Sequence, residues 1–153
     1  MRTLLAGARV FDPRSGALSS ADVVFEDGRI AEVGAGLDGD ESVDVSDRVL
    51  LPGLFDCHTH VMFSHIDLMR GIQTPFSYRF YEGAKNLEAT LLAGITTVRD
   101  AGGADLGVKK AVADGLIPGP RLQISIRMLS QTGGHGDEWM PCGARISSTP
   151  GRR

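Results

Sequence analysis

Hydrophobic and polar residues alternate in short runs over the first fifty positions of the chain. Apolar segments separated by turn residues indicate short β-strands, and these segments are 3–6, 8–11, 22–26, 29–33 and 43–45. Asp27-Gly28 stands between two of them, and this dipeptide supplies the positive φ angles that a type I′ hairpin turn requires. We therefore predict a small β-meander within residues 1–52, with a tight turn at Asp27-Gly28.

After Pro52-Gly53 the pattern changes to strands that alternate with helices. Apolar or β-branched residues cluster or alternate at three predicted strands, which are 54–60, 95–99 and 121–128. Apolar positions recur at helical spacing between these strands, which predicts helices over 78–93 and 105–114. Gly94 and Gly115 follow the two helices and are suitable C-terminal stops. Strands that alternate with helices are typical of βαβ units around a parallel sheet.

Composition and charge limit the classes of protein to which the chain can belong. Its 153 residues are 42% hydrophobic and 23% charged, as in ordinary globular proteins. A formal net charge of −3 gives no reason to expect nucleic acid or an anionic membrane as a partner. Two cysteines are too few for a disulfide framework, and no apolar run approaches the roughly 18 residues of a membrane span. We predict a cytoplasmic protein.

The segment with the clearest chemistry is LPGLFDCHTH, at residues 51–60. Side chains alternate between the faces of a strand, so Asp56, His58 and His60 are predicted to share one side. Cys57 then faces the other side and is interpreted as a small core residue. The Cα atoms of the two histidines are expected about 6.6 Å apart, which suits two imidazoles that bind one metal ion. Zinc, iron, copper and nickel all accept imidazole, so the spacing does not choose the metal.

Residues 50–60, LLPGLFDCHTH, resemble the first barrel strand of the metal-dependent amidohydrolase superfamily. The segments TLLAGITTVRDAGG (90–103), GLIPGPRL (115–122) and QTGGHGD (131–137) are similar to its subgroup of imidazolonepropionase-like amidohydrolases and Xaa-Pro dipeptidases. The resemblance implies an α/β fold. Residues 53–142 would hold the first three strands of a (β/α)₈, TIM-like barrel, and 1–52 part of a small β-sandwich domain.

The same resemblance implies a hydrolase that cleaves amide or peptide-like C–N bonds through a metal-activated water. It makes His58 and His60 metal ligands, with zinc as the expected divalent metal, and it places His135 in the substrate pocket. An exposed loop histidine is the alternative for His135. Asp56 either orients a metal ligand without binding the metal itself, or contacts other residues at the floor of the barrel. The expected substrate is a small amide, with dipeptides, N-acyl amino acids and cyclic amides all open, and a homo-oligomer is compatible with the resemblance.

Residues at the ends of the first two predicted barrel strands are weaker candidates for a functional site. His65 follows the first strand and is interpreted as a surface residue rather than a site residue. Arg99 and Asp100 end the second strand, where a structural ion pair with neighbouring loops is the favoured interpretation. Gly102-Gly103 precedes a helix but lacks a phosphate-binding motif around it, so we interpret it as loop.

The resemblance does not extend to a whole barrel. Such a barrel takes about 250 residues, and the family's other ligands, a lysine, two histidines and an aspartate, come from later strands. The three lysines of this chain lie on predicted helices, and residues 143–153 form a tail without the family pattern. We therefore expect the N-terminal part of such an enzyme, inactive alone and without an assigned catalytic residue. The alternative is an inactive remnant that at most binds metal weakly or pairs with another chain.

Overall fold

The computed structural model describes residues 1–145, except for the side chain of Leu68. The chain divides into two compact units, Met1–Pro52 and a second that begins at Gly53. Most of the predicted tail, residues 146–153, lies outside the described residues, and the proposed boundary at 142 stays a prediction.

The first unit is a β-sheet whose strands are β1 Arg2–Asp12, β2 Ala17–Glu26, β3 Arg29–Gly34, β4 Glu41–Asp44 and β5 Val49–Leu50. Strands β1, β2 and β3 form the predicted antiparallel meander, and the turn between β2 and β3 has φ angles of 50° at Asp27 and 73° at Gly28. Both β4 and β5 instead run parallel to β1. A meander is therefore wrong for these two strands, because turn residues determine a local hairpin but not where a returning strand pairs.

Asp22 ties the first unit together through backbone hydrogen bonds. Its carboxylate accepts from the N–H groups of Gly7 and Gly36, both at 2.8 Å, and from that of Leu37 at 3.3 Å. Gly7 has a φ of 74° and lies where the pairing of β1 with β2 shifts register, which explains why one long strand replaces two predicted ones. These hydrogen bonds, that of Gly7 first, lower the pKa of Asp22.

The second unit alternates strands with helices along the chain. Its elements are β6 Leu54–Thr59, α1 Leu68–Gln73, α2 Tyr78–Leu92, β7 Ile95–Asp100, α3 Leu106–Ala113 and β8 Arg121–Ile124. The three strands form a parallel sheet in the order β6-β7-β8, so each strand pairs with the next one along the chain. This is the arrangement of consecutive strands in a (β/α)₈ barrel. None of the described helices is both long enough and apolar enough to cross a lipid bilayer.

Helices α2 and α3 pack on one face of this sheet and bury its core. The buried side chains come from both helices, from β7 and β8, and from two loops, and they are Val61, Met62, Leu87, Val98, Ala104, Val108 and Leu122. Strand β6 contributes no side chain to this core in the described part of the chain, and Phe55 is 71% exposed. Cys57 is also exposed. The prediction of a core cysteine is therefore wrong for residues 1–145, because neither helix covers β6 there.

Candidate metal centre

Two histidines lie side by side at the carboxyl end of β6. The ring centroids of His58 and His60 are 5.5 Å apart, and the ring planes meet at 75°. Strand β6 bulges between Asp56 and Thr59, where three steps along β6 match two along β7. A bulge of this kind changes the direction of side chains near a sheet edge. The structure brings together the two imidazoles that the sequence placed on one side.

The ring of His60 is held by a backbone carbonyl. Its Nδ1 lies 2.8 Å from the carbonyl oxygen of Gly102. Because a carbonyl oxygen only accepts hydrogen bonds, Nδ1 donates its proton there, and the lone pair of the neutral ring is on Nε2. Metal-binding histidines commonly donate their second ring N–H to a carbonyl in this way. His60 is therefore in the tautomer whose free lone pair lies on Nε2.

Asp56 acts on the backbone of the strand rather than on an imidazole. Its Oδ1 accepts a hydrogen bond from the N–H of His58 at 3.0 Å. The contact holds the chain at the bulge that contains His58 and directly precedes His60. Asp56 is half-buried and is not among the described residues that line the neighbouring cleft, and its predicted action on a metal ligand stays a prediction.

Asp100 ends β7 and is fully buried. Its Oδ2 accepts from the N–H of Val61 at 2.9 Å, and its Oδ1 accepts from the N–H groups of Gly102 at 3.0 Å and Ala104 at 3.1 Å. Arg99 donates its Nε–H to the carbonyl oxygen of Cys57 at 2.6 Å. Within residues 1–145 neither side chain belongs to an ion pair. The predicted ion pair is therefore wrong, because backbone N–H groups satisfy this buried carboxylate.

A cleft of about 340 Å³ opens beside the two histidines. Its lining includes Arg99 from β7 and, from the segment after β8, Arg127 and His135. The structure thus brings His135 to the same cleft as the histidine pair, and its role toward a substrate stays a prediction. His65 is half-buried and is not among the lining residues of this cleft.

The segment after β8 begins with a strained turn. Ile126 has a φ of 66°, and the N–H of Arg127 donates to the carbonyl of Ser125 at 2.7 Å, which closes a three-residue turn. Such turns are rare, and a β-branched residue in the left-handed region is an outlier. The carbonyl of Ile126 accepts the N–H of Gly103 at 3.2 Å. The turn explains why β8 ends at Ile124 rather than at the predicted residue 128.

Carboxylates outside the cleft hold the segment that carries His135. Glu138 pairs with Arg127 at 2.9 Å and with Arg145 at 3.0 Å. The hydrogen bond from Arg127, ahead of that from Arg145, lowers the pKa of Glu138. The pKa of Asp137 is lowered by the backbone N–H of Gly133 first and then by that of Trp139. Arg127 is thus partly neutralised, whereas Arg99 has no carboxylate partner among the described residues.

The described residues hold two side chains that could donate to a metal ion, His58 and His60. No group of three or more His, Cys, Asp or Glu side chains within residues 1–145 is placed to hold an ion. The donors that fit are the two imidazoles, which suit a divalent transition metal. Catalytic zinc commonly takes about three protein ligands, so this pair alone falls short of such a site.

Residues 49–150 match the sequence model of the amidohydrolase family. The chain belongs to the amidohydrolase family. Among curated relatives, the chain is 36% identical over 141 residues to an ochratoxinase of Aspergillus niger, an alignment that covers 86% of this chain and 29% of the relative. A dihydroorotase of Trichlorobacter lovleyi is 42% identical over 64 residues, covering 40% of this chain and 15% of the relative.

Solved structures give the same family and fold. A prolidase complexed with N-methylphosphonate-L-proline is 38% identical, with a TM-score of 0.84 over 97% of this chain and 37% of that one. A crystal structure of an amidohydrolase is 35% identical, with a TM-score of 0.83 over 98% of this chain and 37% of that one. A Xaa-Pro dipeptidase with bound methionine is 25% identical, with a TM-score of 0.76 over 90% of this chain and 36% of that one. The predicted family and its partial-barrel α/β fold are confirmed.

Proposed function

We propose that this chain carries the first metal ligands and one wall of the substrate cleft of a metal-dependent hydrolase. The reaction is cleavage of a C–N bond in a small amide or dipeptide-like substrate. The observation that carries the proposal is the pair of adjacent imidazoles at the carboxyl end of the first barrel strand. In a (β/α)₈ barrel this end of the strands is where active sites are built. The family relatives are hydrolases by name, which supports the reaction class.

His58 and His60 would hold the ion, and zinc is the metal we propose because imidazole is its common ligand in hydrolases. When bound, such an ion activates a water molecule and polarises the substrate carbonyl. The residues of the chain supply the geometry. Gly102 keeps the His60 proton on Nδ1, so that Nε2 is the nitrogen available for coordination. Asp56 supports His58 through its backbone N–H.

The charge of the cleft supports a substrate that carries a carboxylate. Arg99 and Arg127 line the cleft. Asp100 is also a lining residue, but its carboxylate is fully buried and accepts three backbone N–H groups. Guanidinium groups bind carboxylates through paired hydrogen bonds. Two of the similar solved structures are named with a proline derivative or methionine bound. We therefore favour dipeptides and N-acyl amino acids over uncharged amides, with His135 as a further contact to the substrate.

Zinc titration of the 153-residue chain tests the metal ligands. Wild type should bind one zinc ion weakly, and His58→Ala or His60→Ala should each abolish the binding that a calorimeter detects. His65→Ala is the matched control, since His65 does not line the cleft in the described structure, and it should bind zinc like wild type. If all three variants bind zinc as wild type does, or if His65→Ala is as impaired as the others, the assignment of ligands is wrong.

A second candidate function is weak metal binding without hydrolysis by this chain alone. The observation that favours it is the incomplete donor set of residues 1–145. The two candidates differ in one result. Adding the later strands of a related full-length family member in a chimera should restore chelator-sensitive turnover if the chain holds a functional half of the site. An inactive chimera that folds and binds zinc would favour the remnant.

A further inference from the structure

The buried carboxylate of Asp100 joins two separate loops beside the candidate metal ligand His60. It is the buried charged side chain of the described core. One oxygen accepts the N–H of Val61, the residue after His60, and the other accepts N–H groups of the loop after β7. That second loop provides the Gly102 carbonyl to which His60 Nδ1 donates. Both the backbone next to His60 and the acceptor of its ring proton are therefore fixed by one carboxylate.

The loop after β7 needs such a contact because its backbone is unusually free. Gly102 and Gly103 have φ angles of 145° and 120°, which are conformations that glycine adopts without steric cost. Asp100 accepts the N–H groups of Gly102 and Ala104, and the N–H of Gly103, which lies between them, donates to the carbonyl of Ile126. The carbonyl of Gly102 is thereby held in one orientation toward the imidazole.

We propose that Asp100 is a positioning residue for His60. By locking the Gly102 carbonyl to the end of β6, it keeps the ring proton on Nδ1 and leaves Nε2 as the metal-binding nitrogen. Asp100 itself touches neither metal nor substrate. The consequence for metal affinity rests on the proposed function, whereas the tautomer of His60 is a property of the chain without metal.

The main alternative is that Asp100 only stabilises the fold. Asp22 provides a matched control, because its carboxylate also accepts three backbone N–H groups and holds a glycine-containing bulge and loop in the first unit. Asp22 has no described contact with a histidine. Asp22→Asn and Asp100→Asn each put an amide N–H₂ where a carboxylate oxygen accepted, so each must lose at least one of its backbone hydrogen bonds.

The experiment is nitrogen-15 NMR of the 153-residue chain labelled at its four histidines, without metal, at pH 8.5. Long-range ¹H–¹⁵N correlations distinguish Nδ1–H from Nε2–H tautomers, and His60→Gln assigns the signal of His60. Folded wild type should show His60 as Nδ1–H. Asp100→Asn should move it toward the Nε2–H form that the unconstrained histidine side chain favours, whereas Asp22→Asn should leave it unchanged. Zinc affinity should fall about 10-fold or more in Asp100→Asn alone, in line with losses seen when contacts behind metal ligands are removed.

The outcomes separate this proposal from that of the metal site. A tautomer shift in Asp100→Asn without zinc binding by wild type would support the positioning role and refute His60 as a zinc ligand. An equal shift in Asp22→Asn would show that loss of stability alone moves the proton, and would overturn the proposal. If Asp100→Asn does not fold, the His60 tautomer of the wild-type chain still tests the proposal. His60 found as Nε2–H in the folded wild type would refute the hydrogen bond on which the proposal depends.

Discussion

Replacement of Gly83 by alanine sets helix propensity against packing at a defined contact. Gly83 is a buried residue of α2. A Cβ atom built there would lie 2.6 Å from Sδ and 3.1 Å from Cε of Met62, and 3.7 Å from the carbonyl oxygen of Val61. Sδ and Cε are the flexible end of Met62, but this side chain is only 6% exposed and packs within the core cluster, so moving it displaces neighbouring core side chains. The substitution therefore pushes on the segment that directly follows His60.

The magnitudes decide the sign of the change in the free energy of unfolding. Alanine in place of a helical glycine gains about 1 kcal/mol. Overpacking of a filled core costs about 1–3 kcal/mol, and a contact of 2.6 Å calls for the upper part of that range. We expect Gly83→Ala to lower the free energy of unfolding by about 1–2 kcal/mol.

Urea denaturation of the 153-residue chain, followed by circular dichroism, measures this change. Gly71→Ala in α1 is the control, because the one described atom that its Cβ would meet is Nη2 of Arg79, at an ordinary 3.5 Å. This substitution should stabilise the chain by up to about 1 kcal/mol. In a double-mutant cycle, Met62→Ala should remove the penalty of Gly83→Ala. Stabilisation by Gly83→Ala equal to that by Gly71→Ala would refute the packing argument.

Three further predictions concern the loop, the core and the reaction. Fluorescence emission of Trp139, the single tryptophan, should stay constant from pH 7 to about 4 and change only below that pH. The pKa of Glu138 is lowered in the folded chain. The stabilisation by Glu138 is therefore complete above the pKa of this residue in the unfolded chain and is lost as the pH falls through its pKa in the folded chain. Glu138→Gln should change the emission already at pH 7. Leu87→Ala, at a fully buried position, should cost about 2–5 kcal/mol in urea denaturation, and a value below 1 would contradict the described core. The chain alone should not hydrolyse dipeptides or N-acyl amino acids, because two imidazoles leave the site incomplete; turnover that a chelator or His58→Ala abolishes would disprove this.

Local patterns were sufficient to predict most elements of the fold. The hairpin at Asp27-Gly28 follows from two φ angles that few other dipeptides adopt. Helix α2 was predicted from the spacing of its apolar residues, and it ends at Leu92, within a residue of the prediction. The pairing of β4 and β5 with β1 was not predicted, because it depends on contacts between residues far apart in the sequence.

The residue types of the candidate site were predicted, but the turn and the backbone hydrogen bonds that hold them in place were not. The His-x-His spacing on a strand indicated the two imidazoles, and the order of parallel strands brought His135 to the same cleft. No local pattern indicated the turn at Ile126, since β-branched residues rarely adopt a φ of 66°. Asp100 was assigned to an ion pair because its neighbour is Arg99. The Asp-Ala-Gly-Gly run after β7 was the available signal, because aspartate accepts backbone N–H groups at such turns.

The pairing pattern of the strands has a consequence for the order in which the chain folds. Strands β1, β2 and β3 are joined by short turns, so their pairing closes small loops and is expected within microseconds. Strands β6 and β7 pair only after about forty intervening residues, Leu54 with Ile95, have been brought back, and such long-range parallel pairing is intrinsically slow. Leu54 and Phe55 are 53% and 71% exposed even in the folded structure, and we expect them to be exposed while β6 is still unpaired. We therefore expect newly made chains to aggregate most readily through the strand that carries His58 and leads into His60.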